Sequence, residues 1–150
     1  MAEELYLLDT NILIRWLRRE VAEHSMVSAA IEQLARQNAV PCYTSQNLGE
    51  LWNVLTRPAD RNGYGLSPSQ ADQCAQILER DVYMLPDTPE VHFVWRRLLV
   101  VHGVCGAQVH DTKLVAAMLV HGVRRILTLN PRDFARFDGI EAVHPSDLSS

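Results

Sequence analysis

Four consecutive apolar residues, Leu5-Tyr6-Leu7-Leu8, stop abruptly at Asp9. An unbroken apolar run of this length describes a strand covered on both faces, and strands of that kind belong to parallel sheets flanked by helices. The period then changes. Ile12, Leu13, Trp16 and Leu17 share one helical face while Arg15, Arg18 and Arg19 take the other, so a short amphipathic helix follows the polar turn Thr10-Asn11.

The same alternation continues to the end of the chain. Val27, Ala30, Ile31 and Leu34 mark a helix from about His24-Ser25 to Asn38, and Val40 to Thr44 is the next strand. Leu48, Leu51, Trp52 and Leu55 form a helical stripe ended by Pro58, with a polar loop over 59–66. Ser67-Pro68-Ser69-Gln70 is a capping box with proline in the first helical position. A short strand Val82 to Leu85 precedes a helix that opens at Thr88-Pro89, carries Val91, Val94, Trp95 and Leu98, and ends at Gly103. A further helix runs from about His110 to His121, followed by strands Arg125 to Leu129 and Ile140 to Val143. Short apolar strands separated by helix-length segments predict a three-layer α/β/α fold with a central, mostly parallel sheet, in one domain over residues 1–150.

Composition narrows the function classes. The chain has 47% apolar and 21% charged residues, which disfavours disorder, and no apolar run approaches the roughly 18 to 20 residues of a membrane span. Its start, Met1-Ala2-Glu3-Glu4, is acidic where a secretory leader is basic, so a cytoplasmic location is expected. Three widely spaced cysteines, Cys42, Cys74 and Cys105, predict free thiols and no disulfide framework. The net charge of −4 excludes binding to nucleic acid through a globally basic surface, although Lys113 is the single lysine among 14 cations and the arginines suit phosphate recognition.

In parallel sheets, ligands gather at the carboxyl ends of strands. That rule selects Asp9, the Thr44-Ser45 corner and the turn Thr128-Leu129-Asn130, and it brings Glu50, Asp111 and Asp133 to the same edge. Taken singly, Asp9, Asp111 and Asp133 suit helix caps and Glu50 suits solvent. Taken together, four carboxylates need a cation, and an all-oxygen set fits Mg²⁺ or Mn²⁺. Such ions activate water and position a phosphodiester. Setting these four acids aside leaves 14 acids against 14 cations, so the acidic excess equals the candidate site.

The order Leu7-Leu8-Asp9-Thr10-Asn11-Ile12-Leu13, Asn47-Leu48-Gly49-Glu50-Leu51-Trp52, His110-Asp111 and Thr128-Leu129-Asn130-Pro131-Arg132-Asp133-Phe134 resembles the PIN-domain ribonucleases, above all the VapC-type toxins of bacterial toxin–antitoxin pairs. The resemblance spans Asp9 to Asp133. It implies a metal-dependent endoribonuclease with Asp9, Glu50 and Asp111 as Mg²⁺ or Mn²⁺ ligands, an RNA substrate, an antitoxin partner and a homodimer. Many relatives carry an acid where Asn130 stands here, so either Asn130 or Asp133 completes the set. Thr10, Asn11, Ser45 and Thr128 match the family's small polar residues that hold ligands or bound waters.

Arg15, Arg57, Arg61 and Arg132 are candidates for RNA phosphate contacts, against a solvated surface or an acidic protein partner. His110 is expected to bond backbone, and Trp16, Trp52 and Trp95 to pack. Two other chemistries place an aspartate after the first strand. A haloacid-dehalogenase-type phosphatase needs a D-x-D pair and a strand-end lysine, and a response-regulator receiver needs an acidic pair near its first strand and a strand-end lysine. Here Asn11 holds the second position and Lys113 lies inside a helix. The remaining alternative is a PIN fold kept as a binding module without turnover.

Overall fold

The strand that opens the chain, β1 (Glu4–Leu8), occupies the centre of a five-stranded sheet. The computed structural model describes residues 3–148; Met1 and Ala2 of the acidic start, with Ser149 and Ser150, lie outside the described residues. β1 is flanked by β2 (Ala39–Tyr43) and β4 (Arg125–Leu127), with β3 (Tyr83–Met84) and β5 (Glu141–Val143) at the edges. All four pairings are parallel, with Leu7 opposite both Cys42 and Ile126. The sheet is thus wholly parallel, and every return passes through helical chain.

Successive side chains of β1 point to opposite faces, and each face has its own core. Tyr6 and Leu8 pack with Ile12 and Leu13 of α1 (Thr10–Leu17), Val27 and Leu34 of α2 (His24–Arg36), Leu51 and Leu55 of α3 (Ser45–Thr56), and Leu78 of α4 (Pro68–Asp81). Leu7, Cys42 and Ile126 pack on the other side with Leu114, Val115 and Met118 of α6 (Gln108–His121) and with Phe134. α5 (Pro89–Val101) lies against α6 through Val91, Ala116 and Ala117. This is the three-layer α/β/α arrangement. Leu7 and Leu8 are wholly buried, and each side chain so placed contributes about 1.5–3 kcal/mol.

The peripheral elements depart from expectation. β3 is two exposed residues, because pairing on one side only gives no two-faced burial to sustain a longer strand. β4 stops at Leu127, after which the Thr128 N–H makes a last bond to the Val143 carbonyl at 3.0 Å and its hydroxyl turns to Asp9. α6 begins at Gln108, whose carbonyl accepts from Thr112 Oγ1 at 2.8 Å. Of the α5 stripe only Val91 is fully buried, while Trp95 is half-buried and donates from Nε1 to the Val109 carbonyl at 2.9 Å. Cys42 is buried, Cys74 half-buried and Cys105 exposed, and all three are free.

The loop after α3 contains a 3₁₀ turn, Ala59–Arg61, and doubles back along the helix end through Tyr64 N–H to Val54 and Leu66 N–H to Leu55. A Cβ at Gly63 would lie 2.0 Å from the Arg57 carbonyl oxygen, so only glycine permits this return. Among the described residues no helix is long and apolar enough to cross a membrane.

Candidate active site

Asp9 sits where β1 runs out and caps α1, accepting the Thr10 N–H on Oδ1 at 2.8 Å. Its Oδ2 accepts the Thr128 hydroxyl from the end of β4 at 2.7 Å, and Asn11 Nδ2 approaches the same oxygen at 3.4 Å. Thr128 Oγ1 in turn accepts the Asn130 N–H at 3.0 Å, and Asn11 Oδ1 accepts the Leu129 N–H at 3.2 Å. The cap expected for an aspartate at a helix start is therefore real, and one group serves both as cap and as part of a polar edge. Adjacent central strands supply this geometry, which explains its burial: Asp9 is 8% exposed and Thr128 wholly buried.

Glu50 arrives from α3. Its Oε1 accepts the Thr10 hydroxyl at 2.7 Å, and Thr10 Oγ1 accepts from Asn47 Nδ2 at 3.0 Å. Asn47 is wholly buried and closes the α3 capping box, its Oδ1 accepting the Thr44 N–H at 2.8 Å. Gln46 Nε2 donates to the His110 carbonyl at 2.8 Å and lies 3.5 Å from Glu50 Oε2, tying α3 to α6. Asn47 and Gln46 carry roles that the sequence reading did not give them. The signal was present in Thr44-Ser45-Gln46-Asn47, which has the spacing of a cap and its reciprocal partner.

Asp9, Thr10, Asn11, Glu50, Asp111, Asn130 and Asp133 line one open cleft of about 330 Å³. Asp111 enters from the first turn of α6, and Asp133 from a 3₁₀ turn, Pro131–Phe134, that follows β4. Asn130 and Asp133 both reach the cleft, so the choice between them stays open. Asn53 of α3 belongs to the lining as well. Ser45 does not; it is exposed and lines a neighbouring groove.

Among the described residues none of the four acids takes part in an ion pair. Burial, then the charges of Asp9, Asp133 and Glu50, push the Asp111 carboxyl up to about 7. Burial also raises Asp9, opposed by the Thr128 and Thr10 hydrogen bonds and reinforced by Glu50 and Asp133. Uncompensated negative charge in one cleft, offered entirely through oxygen, fits a hard divalent cation. Among the described residues no three Asp, Glu, His or Cys side chains form a metal-binding cluster.

The four candidate arginines lie outside this lining. Arg15 pairs with Glu23 at 3.0 Å and donates to the Asn11 carbonyl. Arg57 Nη2 donates to the Asn62 carbonyl at 3.0 Å, bracing the loop. Arg61 and Arg132 are exposed. His110 is exposed too, and its backbone carbonyl rather than its ring holds Gln46.

The profile of the PIN domain family matches residues 6–140. No curated protein sequence matches the chain. Solved structures share its fold at low identity. The VapBC2 complex of Rickettsia felis, bound to a DNA fragment from its promoter, matches at 17% identity and a TM-score of 0.68 over 93% of this chain and 98% of the other. VapC20 of Mycobacterium tuberculosis, a toxin that cleaves the sarcin-ricin loop, matches at 21% and 0.65 over 91% and 98%. DNA-bound VapBC of Salmonella typhimurium matches at 18% and 0.68 over 95% and 98%. With the family profile matched over residues 6–140 and the fold shared with these structures, the chain belongs to the PIN domain family.

Proposed function

We propose that the chain is a divalent-metal-dependent endoribonuclease and the toxin of a toxin–antitoxin pair. The observation that carries the reading is the cleft lined by Asp9, Glu50, Asp111 and Asp133 with no arginine or lysine in its lining, the Asp111 carboxyl driven up to about 7. Asp9, Glu50 and Asp111 would hold Mg²⁺ or Mn²⁺, supported by Asp133 or Asn130. The bound ion supplies the positive charge that activates water and stabilises a phosphodiester as it breaks. The protein's part is to hold the acids in place. Thr128 and the Thr10 N–H fix both oxygens of Asp9, and the Thr10 hydroxyl, itself fixed by Asn47, steadies Glu50.

Family membership supports a nuclease, and the VapBC complexes among the solved relatives support an antitoxin as partner. A homodimer and a cytoplasmic location complete the proposal. Phe93, Val100 and Val101 of α5, each at least 60% exposed, offer an apolar surface to a protein partner.

Purified protein incubated with a mixed pool of single-stranded and structured RNA, in Mg²⁺, in Mn²⁺ and in chelator, tests the reading beside an Asp9→Asn control. Metal-dependent cutting lost in the control is the expected result. A folded protein that binds metal and RNA yet cuts nothing in the pool would favour a binding module.

A further inference from the structure

We propose that the RNA strand leaves the carboxylate cleft along a second groove, where Lys113 binds a flanking backbone phosphate and the bare surface of α3 at Gly49 seats the adjoining nucleotide. The proposal rests on the ribonuclease reading above. The groove holds about 540 Å³ and is lined by Gln46, Gly49, His110 and Lys113, sharing Glu50 and Asn53 with the cleft. The two therefore adjoin along α3 at Glu50 and Asn53, with the acids lining the cleft and an ammonium lining the groove.

Gly49 is the first argument. It stands inside α3, where glycine costs about 0.5–1 kcal/mol relative to alanine. Its φ is not among the positive ones, and a Cβ placed there would meet nothing within 4 Å. Neither backbone conformation nor packing within the chain requires glycine, one residue before Glu50. What its missing side chain preserves is open space on the groove floor.

Lys113 is the second. It is the chain's single lysine and lies two residues after Asp111 on α6. Its Nζ is 5.4 Å from the centroid of the Trp95 ring and 3.7 Å from Asp87 Oδ2, so its stem is braced while the contact with Asp87 is too long for a hydrogen bond. The ammonium keeps donors for a phosphate, a contact that positions a strand without selecting its sequence. An extended protein segment is the other occupant of such a groove. Charge favours RNA, because among the described residues the groove lining offers Lys113 and no arginine, beside a cleft whose proposed ion also receives phosphate.

The test uses Lys113→Met, Lys113→Arg and Gly49→Gln in the full chain. Steady-state cleavage of single-stranded RNA gives KM and kcat. The same substitutions in an Asp9→Asn background give the Kd of a short fluorescein-labelled single-stranded RNA without turnover. Lys113→Met and Gly49→Gln should each raise KM and Kd about 3–10-fold with kcat within about twofold, and Lys113→Met should flatten the log Kd against log salt slope by about 0.7. Lys113→Arg should retain both, and Gly49→Gln should melt no lower than wild type. An unchanged Kd in either Lys113→Met or Gly49→Gln overturns the proposal. So does a Lys113→Met that lowers Tm alone, which would leave Lys113 a brace between Trp95 and Asp87, or weaker capture of an antitoxin with RNA binding intact. If wild type binds RNA without cutting while the groove variants weaken that binding, the nuclease reading fails and the groove stands.

Discussion

The two ends of the central strands treat acidic residues in opposite ways. At the amino ends, Glu4 and Glu141 flank Arg125, at 2.6 and 3.0 Å, on the exposed rims of β1, β4 and β5. At the carboxyl ends, Asp9, Glu50, Asp111 and Asp133 line a cleft with no cation among them. The first arrangement is complete within the chain. The second is not, and Asp111 shows it by rising to about 7 while the partnered rim places its acids beside a guanidinium. An acidic residue beside arginine explains itself through the fold; acids gathered without one need something from outside.

The sharpest way to break this contrast is at Asp9. Asp9→Asn should lower kcat/KM for RNA at least about 100-fold, equivalent to about 3 kcal/mol of barrier, while circular dichroism shows a folded chain. Comparable cutting by wild type and variant would remove Asp9 from the site.

Asp111 gives an effect of opposite sign on stability. Its folded pKa lies above its unfolded value, so the folded state binds the extra proton, and stability falls as pH rises from about 4 through 7. In chelator at pH 8, Asp111→Asn should therefore be more stable than wild type by about 1–3 kcal/mol, a figure reduced for the partial exposure of the group. The advantage should fade towards pH 4, and Mg²⁺ should raise the Tm of wild type more than that of the variant. Denaturant titrations at both pH values measure this. A pH-independent difference would mean that shape, not charge, is responsible.

Thr128→Val removes the donor to Asp9 and the acceptor for the Asn130 N–H while keeping the volume. A loss of about 1–2 kcal/mol in stability and about tenfold in kcat is expected, read by chemical denaturation and cleavage assays. At the other end, Arg125→Ala should cost about 0.2–1 kcal/mol and leave cleavage within twofold, since exposed ion pairs contribute little. A large loss of activity there would erase the distinction between the two ends.

The sequence made the centre of this molecule legible and its margins much less so. Leu5 to Leu8 followed by Asp9 announced a two-faced strand because burial on both sides leaves no polar position to confuse the pattern. Ser67-Pro68-Ser69-Gln70 announced α4 because a capping box is a local device, and the structure contains both of its hydrogen bonds. The pattern predicts a strand over Val82 to Leu85 where only Tyr83 and Met84 pair, since an edge strand's length depends on a single neighbour that local sequence does not describe. The strand order β3-β2-β1-β4-β5 was likewise not deducible from local pattern. In the candidate site, the strand-end rule gathered Asp9, Glu50, Asp111 and Asp133 because parallel strands share one carboxyl edge. It missed Asn47, whose importance lies in a bond to Thr10 that spans 37 residues. Ser45 lies in the neighbouring groove, and Arg15, a candidate for RNA phosphate or a protein partner, pairs with Glu23, a contact that local pattern does not describe.

The bonds around Asn47 have a direction. The Thr44 backbone N–H can only donate, so it fixes the Asn47 amide with its oxygen towards Thr44 and its nitrogen towards Thr10. The Thr10 hydroxyl must then accept from that nitrogen, and its own hydrogen is left for Glu50 Oε1. A one-way relay thus starts in the backbone of the β2–α3 corner and ends on one oxygen of a single carboxylate. Oε2, approached among the described residues only by Gln46 at 3.5 Å, keeps its acceptor capacity in reserve. Glu50 thus presents two unequal oxygens, Oε1 with one acceptor site already engaged and Oε2 nearly free, and that asymmetry is set by a residue that never reaches the surface.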